Sequence, residues 1–372
     1  MNTHLREIIG REGASGYLSI DLKALRRNYL LLAERTAPVP VAAVVKANAY
    51  GLDVARVAPV LYEAGCRDFF VAHIGEALHL EPLLPDHARI FVLNGLQPGA
   101  EDICAAKAIV PVLNSLEQVE NWARTTGIRG TRLPAVLQID SGMSRLGLPP
   151  EEATALAADP GLLKSVELLY LMSHLASGDE SESAQNADQL AMLRQASALF
   201  PDLPLCFANS GGLFLGPDFH GALARPGIAL YGGVPTDAFD NPMRPVVRLD
   251  VRVVQTRTVP AGTHVGYGGA HVTTAETRLA TIAAGYADGL PRSLSQRGAA
   301  YYAATRLPIV GRVSMDSITI DVTALPPGTL KLGSLVELIG PHQTLDAIAA
   351  DAGTMSYEIL TGLGTRYHRE YR

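Results

Sequence analysis

The sequence predicts an α/β protein in two parts: an N-terminal (β/α)8 TIM-type barrel over residues 1–238 and a mostly-β C-terminal domain over residues 239–372. Three observations point there. A chain of 372 residues exceeds one small core. From about residue 20 to 235, continuous apolar strands alternate with helical patterns, the mark of a parallel sheet covered by helices. After about residue 240 the helical spacing mostly disappears and strand-like runs are parted by glycine-rich turns.

The elements follow in order. A helix from Leu22 carries Leu25, Tyr29 and Leu32 at helical spacing. Residues 39–45 then form an apolar strand that leads into Lys46. Asp53 is suited to cap a helix with Val54, Val57 and Leu61 on one face. A strand at 69–72 and a helix from Glu76 to Leu83 come next, and further strands fall at 89–93, 109–113, 135–139, 168–172 and 205–208. The tally suits a closed eight-fold barrel, with an open doubly wound sheet as the alternative. No Gly-x-Gly-x-x-Gly follows the first strand, which disfavours a nicotinamide nucleotide. In the second part, residues 246–254, 277–282, 307–310 and 317–321 are strand-like.

Composition narrows the function. The net charge of −6 and the lack of a basic run disfavour nucleic acid and anionic membrane as partners. The longest apolar runs are strand-sized, and the first residues have no signal-type apolar core. Cys66, Cys104 and Cys206 lie in apolar contexts and suit a reducing compartment, with no disulfide framework and no metal site. The cytoplasm is the expected location.

Chemistry concentrates at strand ends, where barrels place reactive groups. Of five lysines only Lys46 ends an apolar strand. Burial there lowers an ammonium's pKa, and a neutral amine attacks carbonyls to give a Schiff base. The bland alternative is a lysine that reaches water or pairs with a carboxylate. Asp140 to Arg145, Ser173-His174, Asn209-Ser210-Gly211-Gly212 and Arg225-Pro226-Gly227-Ile228 follow other strands. Small loops with free N–H groups hold phosphate, so the set suits a phosphorylated, aldehyde-bearing cofactor. Arg145 and Arg225 could instead be surface ion-pair residues, His174 a core histidine and Tyr267 a turn aromatic.

These residues resemble the alanine racemase family, pyridoxal-phosphate enzymes built as a barrel plus a β domain. The resemblance covers nearly the whole chain. It rests on Val45-Lys46-Ala47-Asn48-Ala49-Tyr50-Gly51, Asp140 to Arg145, Ser173-His174, Ala208-Asn209-Ser210, Arg225 to Ile228 and Tyr231-Gly232, followed in order by Gly266-Tyr267-Gly268, Gly285 to Gly289, Ser314-Met315-Asp316 and Ser356-Tyr357-Glu358. It implies L-alanine/D-alanine interconversion with pyridoxal 5′-phosphate, for peptidoglycan or for alanine catabolism. It implies a homodimer with shared active sites. Lys46 would hold the cofactor covalently and act as one acid/base, with Tyr267 of a second subunit as the other. Arg145 would contact the cofactor and the substrate carboxylate, and the Met315 N–H would bind that carboxylate. Tyr50, Ser210, Gly227, Ile228 and Tyr357 would hold the phosphate. His174 would lie against the ring, Arg225 would face its nitrogen and limit transamination, and Tyr286 would narrow the entrance.

Two departures stand out. Leu52-Asp53 replaces the family's usual His-Gly, and Gln138 stands where many members carry a carbamylated lysine. The second bears on substrate breadth, serine included. Competing readings are a decarboxylase on the same architecture, which Arg225 argues against; a cofactor carrier without turnover, whose relatives lack the β domain; and a cofactor-free Schiff-base aldolase.

Overall fold

The structure, a computed structural model, describes residues 12–159 and 161–372. The described chain divides into two compact units. Leu25–Leu230 with Val234–Met243 form one; the residues up to Ala24, Tyr231–Gly233 and Arg244–Arg372 form the other. This differs from a single cut at 238/239. Strand β1 (Gly16–Ile20) pairs antiparallel with β9 (Val247–Val259) and parallel with His368–Tyr371, so it belongs to the C-terminal unit. Its alternating pattern, with Leu18 and Ile20 fully buried, suits a sheet that is apolar on one face.

The first unit is a parallel barrel. Strands β2 (Ala43–Val44), β3 (Asp68–Val71), β4 (Arg89–Val92), β5 (Val110–Leu113), β6 (Leu133–Gln138), β7 (Val166–Met172) and β8 (Leu205–Cys206) pair in sequence order. The eighth position is filled by residues 224–226. Arg225 N–H donates to Ala208 O at 2.8 Å on one side. On the other, Ala42 N–H donates to Ala224 O at 2.8 Å and Val44 N–H to Pro226 O at 3.0 Å. The ring is therefore closed, and the open-sheet alternative falls.

Helices separate the strands as their patterns require. Leu22–Thr36 buries Leu25, Tyr29 and Leu32. Val54–Glu63 is capped by Asp53, whose carboxylate accepts Ala55 N–H at 3.1 Å, and it buries Val54, Val57 and Leu61. The expected helix from Glu76 to Leu83 begins earlier and is two pieces, an α-helix Ile74–Leu80 and a 3-10 turn Glu81–Leu83 with Pro82 near its start. Phe69, Phe70 and Phe91 are fully buried, each contributing about 1.5–3 kcal/mol. Phe70 and Phe91 stack with centroids 4.4 Å apart.

The second unit is mostly strand. β9 is its spine, pairing antiparallel with Thr277–Ile282 and Leu335–Ile339 as well as with β1. The strand expected at 307–310 lies at Thr305–Pro308, because Ala303 at φ 49° turns the chain into a tight hairpin with Ala299–Tyr302. Helices Leu345–Ala352 and Ser356–Gly362 complete the unit. Among the described residues no helix is long and apolar enough to cross a membrane.

Candidate active site

Lys46 lies just past the end of β2, and the backbone behind it is unusual. Ala47, Asn48, Ala49 and Tyr50 have φ of 53°, 53°, 55° and 54°, a full left-handed turn built without glycine. Such a conformation costs about 1–2 kcal/mol per residue, so other contacts must hold it. Gly51 N–H donates to Ala47 O at 2.8 Å, and Val54 N–H to Asn48 Oδ1 at 2.8 Å. Ala47 N–H donates to Glu76 Oε1 at 2.5 Å.

The Lys46 side chain enters a cavity of about 580 Å³ at the carboxyl ends of the barrel strands. Arg145, His174, Arg225 and Gln138 line it, together with Asn94 and Gln118, which carry no distinguishing sequence signal. Burial is the main cause that pulls the Lys46 amine below the ordinary lysine value; Arg145 and then Arg225 lower it further, and Glu76 opposes them. Lys46 is half-buried, and among the described residues no carboxylate forms an ion pair with its amine. The half-buried His174 is likewise held well below 6.5, first by burial and then by Arg225, Arg145 and Lys46. Arg225 is 2% exposed. Its guanidinium donates to Ser173 O at 2.7 Å and to Cys206 Sγ at 3.2 Å, and lies 5.6 Å from the Phe70 ring centroid. It is a core cation, not a surface ion-pair residue.

The loop that carries Arg145 is organised by Asp140. One carboxylate oxygen accepts Gly142 N–H at 2.9 Å and the Met143 and Ser144 N–H groups at 3.0 Å each. Arg145 itself is exposed. Gln138 is buried, and its amide donates to Leu146 O at 3.2 Å, one residue past Arg145.

A second cluster follows Arg225 along the chain. Ser210 Oγ accepts Gly227 N–H at 2.9 Å and Ala229 N–H at 3.3 Å. A Cβ at Gly227 would overlap the Tyr50 hydroxyl, so the absence of a side chain lets tyrosine, serine and backbone meet. Ile228 begins the short turn beyond them. Hydroxyls and backbone beside an electropositive cavity, with a neutral-leaning amine in it, fit a phosphorylated aldehyde.

In the other unit Tyr267 is 71% exposed and Met315 52%. Tyr286 and Tyr357 are exposed as well. Met315 is thus not the core residue its type suggests. Tyr286 N–H donates to Ser314 O and Ala287 N–H to Met315 O, both at 3.0 Å. Arg366 binds Asp288 through two nitrogens, at 2.6 and 2.7 Å, and Asp316 at 2.7 Å, tying both loops together. Spacing in the sequence does not reveal this clamp.

The family model described as "Alanine racemase, N-terminal domain" matches residues 20–235, and "Alanine racemase, C-terminal domain" matches residues 246–371. The chain belongs to the alanine racemase family. It is 63% identical to a protein of Agrobacterium fabrum named "Alanine racemase, catabolic", over 96% of this chain and 92% of that one. It is 57% identical to an alanine racemase of Brucella canis, over 96% and 94%. In structure it is similar to alanine racemase from Bartonella henselae with covalently bound pyridoxal phosphate, at a TM-score of 0.94 and 45% identity, covering 96% of this chain and 100% of that one.

Proposed function

We propose that this racemase-family protein interconverts L-alanine and D-alanine by a two-base route, with pyridoxal 5′-phosphate attached to Lys46. The observation that carries the reading is a strand-end amine with a lowered pKa, facing a cavity lined by Arg145 and Arg225. The Bartonella relative's covalent cofactor supports it. When bound, pyridoxal phosphate supplies the electron sink that lets an amino acid α-proton leave. The protein's own residues do the rest. The Lys46 amine takes or returns that proton on one face, and the Tyr267 phenol of a second copy does so on the other. Positioned acid/base groups of this kind contribute roughly 10²–10⁴-fold each. Arg145 and the Met315 N–H orient the substrate carboxylate. Tyr50, Ser210, Gly227, Ile228 and Tyr357 would hold the phosphate, and His174, its pKa lowered by burial, would lie against the ring. Arg225, always charged, would face the ring nitrogen and leave it without a full proton of its own.

The working form is a homodimer whose two sites are each shared, one copy supplying Lys46 and the second supplying Tyr267. The location is cytoplasmic, a reading supported by three buried, unpaired cysteines.

The test incubates purified protein with L-alanine in deuterated water. D-Alanine carrying α-deuterium is expected, and borohydride followed by peptide mapping should mark Lys46. Unchanged L-alanine, or a reduced adduct on another residue, would refute the assignment.

A further inference from the structure

We propose that Glu76 is a positioning residue for Lys46, its carboxylate pinning the left-handed turn that follows the lysine to the end of the neighbouring strand. The inference rests on the role assigned to Lys46 above. Glu76 lies in the first turn of helix Ile74–Leu80, and its Oε2 does what a residue there ordinarily does. It accepts Ala72 N–H at 2.7 Å and His73 N–H at 3.1 Å, closing a capping box. Oε1 goes further. It accepts Ala47 N–H at 2.5 Å across 29 residues of sequence.

That N–H belongs to the residue next to Lys46, at the first of five consecutive positive-φ positions, Ala47 to Gly51. Within Ala47–Tyr50 only Asn48 is a type that favours this conformation, so the turn holds Ala47, Ala49 and Tyr50 in it against their own preference. A charge-assisted bond at its first residue is the long-range contact suited to holding it. One carboxylate therefore joins the chain after β2 to the chain after β3, and Lys46 sits at the junction. Two strand ends of the barrel are locked in register where the lysine leaves the sheet.

Glu76→Gln separates this link from ordinary capping. Capping boxes accept glutamine, so one oxygen can keep Ala72 and His73. The amide N–H2 then faces the Ala47 N–H, donor against donor. The experiment compares the parent holoenzyme with E76Q and E76A by amide hydrogen exchange and by alanine racemisation kinetics. In E76Q, exchange at residues 47–51 should rise about tenfold while residues 74–80 keep their protection. A misplaced proton-transfer group should lower kcat on the order of 10–100-fold, with KM within about twofold of the parent. E76A should show both effects and also loosen the helix start.

Parent-like exchange at 47–51 in E76Q would overturn the proposal. So would a change confined to 74–80, which would make Glu76 a cap only. Should E76A fail to fold, E76Q decides. A parent protein that racemises nothing would sink the functional reading, yet the exchange comparison would still judge the link.

Discussion

Burial and two arginines set the chemistry of the titratable groups in the barrel cavity. Arg225 is buried against carbonyl oxygens and a thiol, with no carboxylate partner among the described residues, and its guanidinium does not give up its proton. Lys46 and His174 both shift toward their neutral forms, each chiefly through burial and then through the arginines. For His174 the sign is definite. Its folded pKa lies below the unfolded value of about 6.5, so below that pH the unfolded chain binds more protons and stability falls as pH drops. The slope cannot exceed about 1.4 kcal/mol per pH unit for one group. His174→Gln should therefore lose less stability than the parent between pH 7 and pH 5. Urea midpoints at the two pH values measure this; equal losses would show that His174 is not held neutral.

At the scale of the element, the decisive pieces are short. Gly227 opens a turn whose N–H and neighbouring hydroxyls converge because nothing projects from its Cα. Gly227→Ala would push the Tyr50 hydroxyl away. Loss of one hydrogen bond to a charged group, about 1.5–3 kcal/mol, corresponds to roughly 10–100-fold weaker retention of pyridoxal 5′-phosphate. Absorbance titration of the cofactor-free variant reads this directly, and parent-like affinity would remove Tyr50 from the phosphate site. Such pieces also mark what the sequence discloses. The strand before Lys46 is visible because seven residues in a row are apolar or proline. Asp53 is visible because an acid before a helical pattern is a common cap. The closing segment at 224–226 is too short for any periodicity, and in Ala-Asn-Ala-Tyr-Gly the alanines and tyrosine give no sign that the left-handed run begins before Gly51. Glu76 looks like a cap because half of it is one; its other oxygen serves a contact that exists only after the barrel closes. Local signals reveal residues that act within their own element, and tertiary contacts conceal the rest.

For the whole molecule, the C-terminal unit presents large side chains to solvent where its proposed roles require contact: Tyr267, Tyr286, Met315 and Tyr357. Their exposure leaves them available to another molecule. A second copy is the occupant proposed above, and the arrangement makes a quantitative prediction. Lys46→Ala and Tyr267→Phe should each be inactive as homodimers. If every site combines Lys46 of one chain with Tyr267 of the other, a mixed dimer holds one doubly defective site and one intact site. Random exchange of subunits in equal amounts makes half the dimers mixed, so activity should recover to about one quarter of the parent's. If instead each site drew both residues from a single chain, every site in the mixture would carry a defect and no activity would return. Assaying D-alanine formation before and after mixing under conditions of subunit exchange distinguishes the two arrangements, with mass measurement confirming that mixed dimers have formed.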